Sequence, residues 1–163
     1  MMGHDIMISR RMLLAGLFAS PLMGGGRSAF AASALPKMVV TKDPNCGCCT
    51  AWIEHVRAAG FDVSVVESPD VNRLKVRLGV PPALASCHTA EIGGYVIEGH
   101  VPAATIKRLL SEKPEAKGLA VPGMPVGSPG MEVPGAEPDT YEVVLFGPAG
   151  QRAYARFKGN REA

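Results

Sequence analysis

The sequence predicts an α/β fold with the element order β-α-β-α-β-β-α, followed by a Gly/Pro-rich loop and a C-terminal β-hairpin. Three observations carry this. Apolar residues recur at the helical period in three separate stretches, and short alternating or continuously apolar runs lie between them. Gly or Pro punctuates nearly every junction.

Met38-Val39-Val40-Thr41 reads as a short buried strand halted by Asp43-Pro44-Asn45. The helix after it places Cys49, Trp52, Ile53, Val56 and the pair Ala58 and Ala59 on one apolar face, and Gly60 ends it. Phe61 to Glu67 alternates, with Phe61, Val63 and Val65 on one side and Asp62 and Ser64 on the other. Two strands joined through a helix run parallel, with a right-handed crossover. Asp70 caps a second helix that turns Val71, Leu74 and Leu78 inward, and Gly79 with Pro81-Pro82 closes it. Cys87 to Ile92 and Tyr95 to Glu98 flank Gly93-Gly94, a two-residue hairpin turn. Pro102 opens a third helix at N1, with Ala103, Ile106, Leu109 and Leu110 inward and Pro114 beyond. This is the element order of the thioredoxin fold.

Gly118 to Pro138 holds five glycines and five prolines without periodicity and reads as one long loop. A loop of that length in a compact domain is functional or disordered. Tyr141 to Phe146 and Arg152 to Phe157, joined through Gly147-Pro148-Ala149-Gly150, form the closing hairpin.

The first residues are a leader rather than part of the fold. Ser9-Arg10-Arg11-Met12-Leu13-Leu14 opens an apolar run to about Met23, and Ala29-Phe30-Ala31 supplies small residues at the spacing a signal peptidase accepts. Residues 1–31 therefore read as a signal peptide of twin-arginine type, the alternative being an ordinary Sec leader whose positive end is two arginines, and residues 32–163 as a single domain that is periplasmic or otherwise exported. The apolar run is about half a spanning helix, is broken by Pro21 and has no equal later, so no membrane span is expected in the mature chain. Arg10, Arg11 and Arg27 leave with the leader against Asp5 alone, and what remains has as many acidic as basic residues. Such a chain lacks the positive field that holds nucleic acid or anionic lipid.

The chemistry lies in the cysteines. Cys46-Gly47-Cys48-Cys49 falls at a strand-to-helix turn, where unpaired N–H groups and the helix dipole favour thiolate. If strand one lies parallel to strand two and antiparallel to strand three, then Cys87-His88 begins strand three on the same sheet edge. Adjacent Cys48 and Cys49 have Cα atoms about 3.8 Å apart, below the roughly 4.4 Å that ordinary disulfides need. Cys46 with Cys49 is feasible across one helical turn, which would leave Cys48 for Cys87. Thioredoxin-like proteins carry a cis-proline at the start of strand three; here Ala85-Ser86-Cys87-His88 fills that place and Pro81-Pro82 comes too early. A ligand thus stands where a redox enzyme has its docking proline.

Four thiolates from two loops suit a soft metal. Five of the eight methionines precede the cut, and Met124 and Met131 remain together in the Gly/Pro loop. Their thioethers favour Cu(I) over zinc, the alternative being that both are hydrophobic plugs. His88 is a candidate ligand, although strand alternation sends neighbours to opposite faces. His55 reads as a solvated helix residue, about 10.5 Å along the axis from Cys48. His100, two strand spacings of about 4.8 Å from strand one, reads as a capping residue.

These residues are similar to those of an exported Cys-x-Cys-Cys metal-binding family, the CopG-type periplasmic copper-resistance proteins. The resemblance rests on Cys46-Gly47-Cys48-Cys49 followed by Trp52, Gly79-Val80-Pro81-Pro82 with Ser86-Cys87-His88-Thr89, Glu98-Gly99-His100-Val101-Pro102, and Gly123 to Met131. It runs from about Lys37 to Phe157. It implies a thioredoxin-like fold that holds copper as a small thiolate-bridged cluster, with Cu(I)/Cu(II) handling in copper resistance and other periplasmic copper-handling proteins as partners. Carried over, it makes Cys46, Cys48, Cys49 and Cys87 the core ligands, with Met124 and Met131 completing them.

Two other functions compete: a thiol-disulfide oxidoreductase using Cys46 and Cys49, and a structural zinc site. The Gly/Pro loop, with little apolar surface of its own, is expected to close over the cysteines only when metal supplies the free energy of ordering.

Overall fold

The computed structural model describes residues 34–163, so the signal-peptide reading lies outside the described residues. The elements are β1 (Met38–Lys42), α1 (Gly47–Ala58), β2 (Val63–Glu67), α2 (Val71–Leu78), a 3-10 turn (Pro82–Leu84), β3 (His88–Ile92), β4 (Tyr95–Glu98), α3 (Ala103–Glu112), β5 (Gly118–Ala120), β6 (Thr140–Gly147), β7 (Gly150–Lys158) and β8 (Arg161–Glu162). This is a mixed α/β fold. Among the described residues, three helices accompany one eight-stranded sheet ordered β2-β1-β3-β4-β5-β6-β7-β8, in which β1 is parallel to β2, β4 is parallel to β5 and the other pairs are antiparallel.

Alternation along the strands builds two cores, one on each face. Met38, Val40, Ala90, Ile92, Ile97 and Leu119 point to the side covered by Trp52, Ile53 and Val56 of α1 and Ile106 and Leu109 of α3. Val96, Ala120 and Phe146 point the other way, against Val80 and Leu84 with Leu78 of α2. The Gly93-Gly94 turn has both residues at positive φ, 55° and 87°, as a type I′ hairpin requires.

Several expectations shift. Gly118–Ala120, read from sequence as the start of the loop, is a strand that bridges β4 to β6, so the C-terminal hairpin extends the main sheet. Three residues are too few to show a period. Only glycine fits at position 118, where an added Cβ would fall 1.8 Å from the Val96 carbonyl oxygen. Ala58 is exposed rather than on the apolar face of α1, and Val65 is exposed because β2 is an edge strand. Pro102 is the N-cap of α3 instead of its first helical residue.

The register sets up the site. Lys42, the last residue of β1, lies opposite His88, the first of β3. The turn into α1 and the entry to β3 therefore share one edge of the sheet.

Candidate metal centre

The turn after β1 is tied by local polar contacts. The buried Lys42 amine donates to the carbonyls of Asp43 (3.0 Å) and Pro44 (3.3 Å), and the Asn45 N–H donates to Asp43 Oδ1 at 2.8 Å. Cys46 is the N-cap of α1 in extended conformation, so Cys48 and Cys49 enter the first helical turn. Cys49 is buried, and Cys46, Cys48 and Cys87 are half-buried. The four sulfurs all lie within 4.8 Å of one another. Cys46 and Cys49 are joined as a disulfide, while Cys48 and Cys87 are free thiols with their sulfurs 3.9 Å apart. Cys48 Sγ also stands 3.5 Å from Cys46 Sγ.

On the inner side, Cys87 Sγ is 3.3 Å from His88 Nδ1 and 3.1 Å from His100 Nε2. His100 Nδ1 donates to the Pro129 carbonyl at 2.8 Å, which leaves the Nε2 lone pair aimed at Cys87. His88 is fully buried between Trp52, with ring centroids 4.3 Å apart, and the edge-on His100 ring at 5.2 Å. Its Nε2 has no hydrogen-bond partner among the described residues. Burial holds His88 well below the ordinary imidazole range and His100 below it, so both rings are neutral donors near pH 7. Burial, then the neighbouring Cys48, push the Cys87 thiol up to about 12. A cation at this point reverses that preference and takes the sulfur as thiolate.

Both predicted thioethers lie in the Gly/Pro loop, but they are used differently. Met124 is about half exposed, and its Sδ lies 3.9 Å from Cys48 Sγ. Met131 is half-buried and acts through its backbone, donating to the Ser128 carbonyl and accepting from the Gly127 N–H, both at 2.8 Å. No sulfur contact of this kind joins Met131 to the cysteines among the described residues.

The loop is tied to the domain by polar and close backbone contacts. Ser86 Oγ donates to the Gly123 carbonyl at 2.5 Å, and Val126 and Asp139 bond reciprocally at 2.8 and 2.9 Å. Gly130, at φ +84°, lies against the first turns of α1, where a Cβ would stand 2.6 Å from the Trp52 nitrogen. The loop's composition does not reveal these anchors, whose partners lie on distant segments.

The histidine readings need two corrections. His55, expected in solvent, is half-buried and accepts the Ala103 N–H at the start of α3, 3.1 Å away. It holds the capping role expected of His100, which is instead buried against Cys87. Strand alternation does not separate Cys87 from His88, because Cys87 precedes the regular part of β3 and both contact one another. Sequence reasoning also passed over a buried Lys75–Glu98 ion pair beneath Cys87. The signal was present in Lys75, which falls four residues after Val71 on the apolar face of α2.

A sheet edge that gathers four cysteine sulfurs, two neutral imidazoles and a thioether defines a soft-ligand site on a mixed α/β scaffold. Two solved structures, described as "Copper resistance protein copG" in Form 1 and Form 2, match this chain at 47% identity with a TM-score of 0.71. The matches cover 76% and 77% of this chain and 98% and 99% of theirs for Form 2 and Form 1 respectively. The chain belongs to the CopG copper-resistance family, and its cysteine cluster points to copper. A family model described as "Protein of unknown function, DUF411" matches residues 84–131, which span Cys87 to Met131. No curated protein matches.

Proposed function

We propose that the protein is exported, has a thioredoxin-like fold and holds Cu(I) as a thiolate-bridged cluster in copper resistance. The observation that carries this reading is the meeting of the four cysteine sulfurs within 4.8 Å. Thiolate and thioether donors select Cu(I), and four thiolates exceed what one low-coordinate Cu(I) needs, so the sulfurs are shared between ions. Cys46, Cys48, Cys49 and Cys87 form the core, with His88 on the inner side and Met124 at the mouth; His100 joins them through Cys87, and Met131 serves the loop. The copper is cargo. It enters the dithiol form, reached when an external dithiol reductant gives two electrons and two protons to the Cys46–Cys49 disulfide and is itself oxidised to a disulfide.

The β-α-β-α-β-β-α run and the pairing of β1 with both β2 and β3 support the thioredoxin-like assignment. Ser9-Arg10-Arg11-Met12-Leu13-Leu14 and Ala29-Phe30-Ala31 support export of residues 32–163 as one domain, and no helix among the described residues is long and apolar enough to cross a membrane. Imidazole beside thiolate is a donor mixture that Cu(I) and Cu(II) both accept, which supports redox handling of the metal.

Anaerobic titration of the reduced chain with Cu(I), followed by X-ray absorption, tests the reading. Sulfur neighbours, a short copper–copper distance and more than one Cu(I) per chain are expected. A nitrogen and oxygen shell, or a stoichiometry no higher than one, overturns it. The Cys46–Cys49 disulfide favours a second reading as a thiol-disulfide oxidoreductase. Catalytic reduction of insulin at the rate of a true thioredoxin would promote that reading over copper.

A further inference from the structure

Beneath Cys87 lies a buried polar group that copper binding leaves without a role. The Glu98 side chain, at the end of β4, is wholly excluded from solvent, and that of Lys75 is 5% exposed. Glu98 Oε1 accepts hydrogen bonds from Lys75 Nζ and from the Ser86 backbone N–H, both at 2.6 Å. Oε2 accepts from Thr89 Oγ1 at 2.7 Å, and Lys75 Nζ donates to the same hydroxyl at 2.9 Å.

Stability does not explain such a pair, because well-packed apolar residues in its place are often neutral or better. Its contact with Ser86 does. Ser86 and Cys87 lie between the 3-10 turn and β3, where no sheet ladder holds them. The exit of β4 clamps this entry residue by residue: Glu98 takes the Ser86 N–H, Gly99 N–H donates to the His88 carbonyl at 3.0 Å, and His100 Nε2 meets Cys87 Sγ at 3.1 Å. Gly99 allows the close approach, since a Cβ there would fall 2.5 Å from Ser86 Oγ. The same Ser86 hydroxyl holds the Gly123 carbonyl, beside the Met124 that meets Cys48.

We propose that Glu98 is a positioning residue of the metal centre: it anchors the Ser86–Cys87 backbone so that the Cys87 sulfur faces Cys48, with Lys75 and Thr89 orienting the carboxylate. The consequence for copper rests on the Cu(I) reading above, whereas the anchoring does not. Without it, metal binding must also order the segment, and affinity falls.

Three variants of the full mature chain separate the terms. Glu98→Gln with Lys75→Met removes both charges and keeps an acceptor for the Ser86 N–H; Glu98→Leu with Lys75→Met removes the acceptor as well. Glu98→Asp keeps the charges and shortens the reach. Two readouts are needed: hydrogen exchange at the Ser86 amide without metal, and Cu(I) affinity with the ultraviolet sulfur-to-copper absorption. The Gln/Met chain, which keeps the acceptor but loses the orienting Lys75, is expected to retain most of the Ser86 protection and to lose no more than a few-fold in Cu(I) affinity. The Leu/Met chain is expected to lose Ser86 protection and roughly 10–100-fold in Cu(I) affinity, with an altered absorption band, and Glu98→Asp to fall between. The proposal is overturned if the Leu/Met chain, or Glu98→Asp where that chain does not fold, keeps wild-type protection and Cu(I) binding. It is equally overturned if Gln/Met is as impaired as Leu/Met. Wild-type protein that binds no Cu(I) through sulfur defeats the copper reading instead, while the Ser86 exchange still decides the anchoring.

Discussion

The two poles of the metal centre are built differently. The outer pole, Cys46 to Cys49, comes from four consecutive residues at a helix start, and Cys48 reaches the distant Met124 and Cys87, each 3.9 Å away. The inner pole draws Cys87, His88 and His100 from the ends of two strands, with His88 packed on Trp52 and His100 anchored to the Pro129 carbonyl. Local geometry alone places the first set of sulfurs. The second exists only when the sheet, α1 and the loop have come together, so its donors are rigid and its imidazoles neutral. A soft, adaptable end and a fixed, preorganised end thus share one sulfur, that of Cys87.

The largest test of that asymmetry is Cys87→Ser, which removes the sulfur both poles share. Cu(I) stoichiometry is expected to fall to one or below, a greater loss than Cys46→Ser produces. Equal losses would show that the two poles are equivalent. His100→Ala comes next: it removes a donor beside Cys87 and leaves the buried Pro129 carbonyl without its partner. We expect roughly 10–100-fold weaker Cu(I) binding and about 1–3 kcal/mol of lost stability, read by competition titration and by denaturant unfolding. Gly130→Ala tests whether the loop must touch α1. The positive φ and the 2.6 Å approach to the Trp52 nitrogen should cost about 2 kcal/mol, with hydrogen-exchange protection lost over Gly123 to Met131.

A pH test isolates His55 from the donors. Burial lowers its pKa from the ordinary 6.5, with Glu132 opposing the shift. The unfolded chain therefore binds the proton more readily than the folded one. Its contribution is fully present above about pH 6.5 and lost as pH falls from there towards the folded pKa. Unfolding free energies between about pH 7.5 and 5 should fall less steeply in His55→Gln than in wild type. The smallest effect separates the two methionines. Met124→Leu should weaken Cu(I) binding a few-fold and speed its release, as the 3.9 Å contact with Cys48 implies. Met131→Leu should leave Cu(I) affinity unchanged, and a matching loss there would return Met131 to the ligand set.

The outer pole was legible because Cys-Gly-Cys-Cys is contiguous and its setting, strand then turn then helix, is written in local pattern. The inner pole was legible only in part. Cys87 could be placed by topology, since the β1–β3 pairing brings position 88 opposite Lys42. His100 could not, because counting strand spacings ignores the bend after Glu98, where Gly99 at φ +71° turns the chain back over Cys87. The roles of His55 and Lys75 are not legible for a related reason: their partners, Ala103 and Glu98, are 48 and 23 residues away.

By itself, the sequence determined the order of elements from β1 to α3, most of the helix faces, the Gly93-Gly94 turn and the four cysteines as soft donors, because periodicity, turn chemistry and thiol chemistry depend on near neighbours alone. Tertiary structure decided that β5 joins the C-terminal hairpin to the main sheet, that Met124 rather than Met131 meets a cysteine sulfur, and that His100 faces Cys87. It also placed a buried carboxylate beneath the Cys87 segment. These are long-range outcomes. Each depends on where a distant segment lies once both sheet faces are covered, and on burial that gives a hydrogen bond or a neutral imidazole its weight.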